Sequence, residues 1–193
     1  MSEEQKNPKK KGADPAEELE TDTEFFWNVI KRFDTYFVSV NTKATVIITF
    51  NTFLLTAISL KIQDIVVLYK CVGWVQVLLY ILACLMTITS IASIFQAFVA
   101  LHPFRKTDKQ TVSVVFFEGV ANYNNQSAYL ENYKQMRPKM REELATQTYF
   151  LAKGLRTKFN WISGSIIALS IELALLLIIV LMYILSGTIL SCK

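Results

Sequence analysis

The sequence predicts an all-α membrane protein. Three transmembrane helices are expected, the last continuous with a long cytoplasmic helix, together with a small helical cytoplasmic cap. Three observations predict this. Apolar residues make up 52% of the 193, and they gather in uncharged runs at 44–60, 71–101 and 173–192, the last preceded by 159–171 with only Glu172 between. Runs of that length read as membrane spans, and in lipid the backbone must satisfy itself, so helices are the expected form. No proline follows Pro138, so one helix is expected from about 138 to 185, its first half polar and its second half apolar. At about 1.5 Å per residue it is on the order of 70 Å long, against roughly 30 Å of hydrocarbon in a bilayer.

Residues 1–21 are rich in Lys and Glu, with Pro8 and Pro15. They offer no apolar face and are expected to be a disordered cytoplasmic tail. No signal-peptide pattern appears before the first apolar residues near 25. Thr21 and Glu24 have the spacing of a capping box, which predicts an amphipathic helix over 22–43. On it Phe25, Phe26, Val29, Ile30, Phe33, Tyr36, Phe37 and Val40 recur at helical spacing. Two placements stay open: flat on the membrane surface, or packed on the soluble part of the long helix. Packing is favoured, because the polar face is not strongly basic.

The first span is expected at 44–60. Its Thr49, Asn51, Thr52 and Thr56 are polar at membrane depth, where such residues usually face other helices. Residues 61–70 read as a short connection whose apolar 65–69 is too short to span. The second span is expected at 72–100, long enough to tilt. Residues 102–162 form the cytoplasmic segment. Within 102–158 there are ten Lys or Arg and five Asp or Glu, whereas 61–70 holds Lys61, Lys70 and Asp64. The concentration of Lys and Arg puts the N-terminus and 102–158 in the cytoplasm and the short connection outside. In this segment 111–117 reads as a short strand or an extended stretch, Ser127 as the N-cap of a helix 128–136, and Pro138 as the opening of the long helix. Met140, Leu144, Thr148, Leu151, Leu155, Phe159 and Ile162 make one stripe on that helix. The third span is expected at 163–186.

Three groups of residues carry the functional reading. Asn122, Tyr129 and Tyr133, with Tyr123 and Asn125, interleave aromatic and amide groups, and Lys153, Arg156 and Lys158 are the basic residues set beside them. Aromatic faces stack on a base, amides read its edge and basic groups take a phosphate, which is the chemistry of a small-nucleotide site. A polar loop packed on a helix, with basic residues flanking a span, is the competing reading. Glu172 is costly in lipid and reads as a gating, pore-lining or assembly residue, with Asn51 as a polar partner on another helix. Glu142 and Glu143 point to different helix faces and read as solvated. Cys71, Cys84 and Cys192 have no ligand spacing and His102 is isolated, so neither metal nor disulfide framework is expected. No cofactor, catalytic or phosphate-loop motif appears, so no enzyme is read. A net charge of +4 gives no case for nucleic acid as a partner.

Several short motifs together carry a resemblance. Asp34 and Asn41-x-Lys43-Ala44 lead into the first span. Phe116-Phe117-x-Gly119-x-Ala121 precedes Tyr129-Leu130, and Leu144-Ala145-x-Gln147-x-Tyr149 and Leu155-x-x-Lys158-Phe159 run into the last span. Over about 25–186 the order and spacing of these motifs resemble the transmembrane effectors of the Pycsar anti-phage defence systems. The resemblance implies a multi-pass protein of the bacterial inner membrane. Its ligand would be a cyclic mononucleotide, cCMP or cUMP, made by a partner pyrimidine cyclase, and its action would be to impair the membrane in abortive infection. Strong closure at rest needs more differential binding than one weak site supplies, so a homo-oligomer is expected. Two alternatives stay beside it: an effector of another nucleotide-signalling defence system that its ligand holds closed, and a ligand-free membrane scaffold.

Overall fold

The computed structural model describes residues 15–69, 72–103 and 113–189. Its elements are α1 (Pro15–Leu68), α2 (Gly73–Leu101), α3 (Phe117–Ala121), α4 (Gln126–Met136), a single 3-10 turn (Arg137–Lys139) and α5 (Met140–Ile189). Among the described residues there is no strand, and α1, α2 and α5 each contain a stretch long and apolar enough to cross a membrane. The all-α expectation with three spans therefore holds.

Boundaries differ from the expected ones for local reasons. α1 starts at Pro15, inside the stretch 1–21 expected to be disordered; residues 1–14 lie outside the described residues. Pro15 suits a first helical turn, and Glu20 sits near the end of the helix that its dipole makes favourable to negative charge. Thr21 therefore sits within a helix rather than capping one. Beyond Pro15, α1 meets no proline or glycine until Gly73, so the amphipathic stretch, the first span and most of the expected connection 61–70 form one helix of 54 residues. The reversal is a tight turn, where the Val72 amide donates to the Tyr69 carbonyl at 2.9 Å. α2 stops at Leu101 because His102 precedes Pro103, which disfavours helical geometry in the residue before it. Positions 113–116 are irregular, and 111–112 lie outside the described residues. The cap of α4 is Asn125, whose side chain accepts from the Ala128 amide at 2.8 Å, not Ser127. α5 opens at Met140, after the turn that holds Pro138.

The chain divides into two compact units, and the division falls within α1 and α5. The polar unit comprises Met1–Phe33 and Lys106–Ala152; the membrane unit comprises Asp34–Arg105 and Lys153–Lys193. In the polar unit Val114 and Leu144 are buried, and Arg141 pairs with Asp22 at 3.1 Å. That pair is half-exposed and contributes little. In the membrane unit α1, α2 and α5 pack through two apolar clusters. Leu54, Ile58, Met86 and Ile179 form one. Val66, Tyr69, Val75 and Leu79 form the other, and the Tyr69 hydroxyl donates to the Met182 carbonyl. The outward faces of the three helices stay apolar, with Phe53, Leu60, Phe95 and Phe98 all more than 60% exposed. A lipid environment satisfies such a surface, whereas water does not.

Candidate functional site

The polar unit is pinned by a knot that local sequence does not suggest. Ser113 donates to the Glu143 carboxylate, and Gln147 Nε2 donates to Ser113 Oγ at 3.1 Å. The same hydroxyl oxygen receives the amides of Phe116 at 2.9 Å and Val115 at 3.2 Å. All three side chains are buried, so Glu143 is not the solvated acid expected. One helical turn separates Glu143 from Gln147, which puts both on the face that meets the irregular segment. Gly119 completes the arrangement: a Cβ there would lie 2.5 Å from the Ser113 carbonyl oxygen and 2.9 Å from its amide nitrogen. The hydrogen bonds hold the 113–116 backbone against α3, and only a residue without a side chain leaves it room.

That knot positions the tyrosines of α4. Tyr129 donates its hydroxyl to the Val114 carbonyl at 3.2 Å. Its ring meets Tyr123 edge-on at 5.4 Å between centroids and Tyr133 at 6.5 Å. Asn132 donates to the Tyr123 hydroxyl. Asn122 is exposed and ends α3. Tyr133 turns its far side to an open pocket of about 750 Å³ between α1 and the start of α5. The pocket is lined by Trp27, Asn28 and Lys31 of α1, Tyr133 and Arg137 opposite, and Glu20 and Glu24 at its acidic side. Its size falls in the range of small-molecule sites. Two aromatic rings, one amide, two basic groups and two carboxylates converge there.

Of the six residues expected at a ligand site, Asn122, Tyr129 and Tyr133 belong to the polar unit, and Lys153, Arg156 and Lys158 to the membrane unit. Lys153 and Arg156 are exposed on α5. Lys158 is buried and donates to the Ala100 carbonyl in the last turn of α2, where orphan carbonyls and the negative helix end attract a cation. Burial holds its ammonium below the ordinary lysine pKa. Trp27 and Arg137 were not among the expected residues. They stand 110 positions apart, and only the pairing of the two helices in one unit brings them to one pocket.

The membrane unit has a polar interior. Asn51, Ser90, Ser93, Ser165 and Glu172 are each fully buried. Asn51 Nδ2 donates to the Ile47 carbonyl at 2.8 Å and to Ser93 Oγ at 3.2 Å, and Asn51 Oδ1 accepts from Ser90 at 3.3 Å. Ser165 donates to the Ser93 carbonyl at 2.8 Å. Asn51 thus spends its groups on the serines rather than on Glu172. The Gln96 side-chain amide of α2 lies over Gly164, where a Cβ would displace its end.

Taken together, the helices define an integral membrane protein with three candidate spans and a polar unit built on segments of the first and last. Residues 25–185 match the family model for the Pycsar effector protein domain, PycTM, across segments of both units. The chain belongs to the Pycsar effector family: it is an anti-phage effector with a transmembrane part. Membership implies a cyclic-nucleotide signal and a membrane. Comparison with curated proteins gave no match, and comparison with solved structures gave none.

Proposed function

We propose that the polar unit binds a cyclic mononucleotide, cCMP or cUMP, made by a partner pyrimidine cyclase, and that the membrane unit responds by impairing the bacterial inner membrane in abortive infection. The observation that carries this reading is the pocket bounded by Trp27, Tyr133 and Arg137. A pyrimidine stacks on Trp27 or Tyr133, as bases do on aromatic faces. Arg137 and Lys31 take the single negative charge of the cyclic phosphate. Asn28 reads the base edge, and Glu20 and Glu24 accept from an amino group or the free ribose hydroxyl. In this reading the polar unit faces the cytoplasm and Tyr133 is the member of the expected set that touches ligand. Tyr129 packs its ring against Tyr133, and the exposed Lys153 and Arg156 form the competing basic patch on α5, from which the buried Lys158 is withdrawn. The protein acts as a homo-oligomer. Moving a population from 1:99 to 99:1 takes about 5.5 kcal/mol of differential binding, which several equivalent sites gather more readily than one.

The test is thermal stability of the detergent-purified protein against cyclic mononucleotides and cyclic dinucleotides. A ligand at 100 times its dissociation constant adds about 2.7 kcal/mol. A selective shift with cCMP or cUMP, lost in Trp27→Ala and Arg137→Ala and kept in Arg156→Ala, supports the pocket. Loss in Arg156→Ala alone moves the site to α5. No shift with any nucleotide sinks the sensing reading.

A further inference from the structure

Glu172 is fully buried in the membrane unit. The Ser90 hydroxyl faces it, yet neither carboxylate oxygen completes a hydrogen bond among the described residues. The three expected spans contain no Lys, Arg or His, so nothing at that depth compensates a negative charge. Evolution of a stable bundle has no use for such a group, because a buried unpaired acid costs stability and an apolar residue of its size does not. Its surroundings are graded along the helix axes. Ser90 of α2 faces it and binds Asn51 of α1; the Ser93–Ser165 pair lies about two helical turns farther from the α1–α2 turn. The next layer toward the α1–α2 turn is the apolar cluster: Leu54 lies three residues past Asn51, Met86 four before Ser90 and Ile179 seven past Glu172. An acid with hydroxyl and amide neighbours, sealed on one side by a dry constriction, is the arrangement of a closed cation path. Acidic side chains choose cations, and apolar constrictions gate by dewetting. Toward the other end of the unit the Lys158 ammonium is bound to the Ala100 carbonyl.

We propose that the membrane impairment is a cation-selective conductance through the opened interior of this unit, with Glu172 setting the sign and Met86 part of the closed constriction. The proposal rests on the effector reading above and adds which ions move. At rest the layer is dry and close-packed. When α1, α2 and α5 part and water enters, the Glu172 carboxyl lines the path and no opposing charge stands at its depth.

The experiment is reversal-potential measurement in planar bilayers holding the full-length purified protein under a tenfold KCl gradient. Wild type is opened with cCMP or cUMP; Met86→Ser, which wets the constriction, is recorded without nucleotide. The expected reversal potential lies toward the potassium limit of about 59 mV for a tenfold gradient of a singly charged ion. It falls toward zero when Glu172→Gln is added to either, and Glu172→Asp retains it. Glu172→Leu is the second neutral variant should Glu172→Gln fail to purify. Anion preference, no preference, or full cation preference surviving loss of the carboxylate overturns the proposal. So does the absence of current in both wild type and Met86→Ser. A cation-selective current in Met86→Ser beside a wild type silent to every nucleotide upholds Glu172 while sinking the nucleotide reading.

Discussion

Gly119 shows how one missing side chain carries a local fold. An added Cβ would press on the Ser113 backbone, and Ser113 is the hub that Glu143, Gln147 and two amides share. Gly119→Ala is expected to destabilise the polar unit by about 1–3 kcal/mol, the usual cost of overpacking, read as a lower denaturation midpoint. Ser113→Ala removes the hydroxyl that bridges the buried Glu143 carboxylate and Gln147 amide, leaving them a long 3.4 Å contact with each other, and is expected to cost about 1–3 kcal/mol. Neither effect was legible in the sequence. Glu142 and Glu143 are adjacent acids at the start of a polar helix, and such pairs usually face water. Ser113 is 30 positions away, and no short-range pattern links them. The same holds for Trp27 and Arg137. By contrast Asn51 and Glu172 declared themselves, because a polar group inside a long apolar run is anomalous wherever the helix packs.

Elements were legible where the signal is continuous and less so at their ends. The three apolar runs fix three spans, since hydropathy is local. Helix ends depend on choices among near-equal caps. Both Asn125 and Ser127 are competent, and the extended backbone at Asn125 (φ −159°, ψ 167°) decides between them. Asn125→Ala is expected to cost about 1 kcal/mol and to speed amide exchange over 126–129, whereas Ser127→Ala leaves both unchanged. The α2 end gives a pH test. Burial lowers the Lys158 pKa, so between its folded and ordinary values the unfolded chain binds more protons than the folded one. Stability then rises with pH through that interval. Lys158→Met is expected to flatten the rise in thermal midpoint over the alkaline range below the ordinary lysine value; an unchanged slope would refute it.

Across the whole molecule, the concentration of Lys and Arg in 102–158 is the basis for proposing that this segment is cytoplasmic and 61–70 outside. In a protein with all three cysteines changed to serine, Asp64→Cys is expected to react with an impermeant thiol reagent on intact spheroplasts. Lys134→Cys is expected to react only after permeabilisation. The reverse pattern would invert the topology and put the pocket on the wrong side for a cytoplasmic signal. Charge asymmetry made this expectation readable without a fold. The pairing of α1 with the rest of the polar unit was not readable, because it joins segments more than 70 residues apart through faces of mixed polarity.

The threonines of α1 bear on how the protein is made. Thr45, Thr49, Thr52 and Thr56 lie on exposed positions, and each hydroxyl donates to the carbonyl four residues earlier at 2.8–3.0 Å. Each donor is therefore satisfied by its own helix, and Asn51 covers part of its amide in the same way on Ile47. A nascent first span can leave the ribosome and partition into the bilayer before α2 or α5 has been translated. What α1 leaves open is the Asn51 carbonyl oxygen and its second amide hydrogen, which Ser90 and Ser93 of the second span take. The first helix thus carries its threonines into lipid already satisfied, and the open groups of Asn51 favour packing against the second.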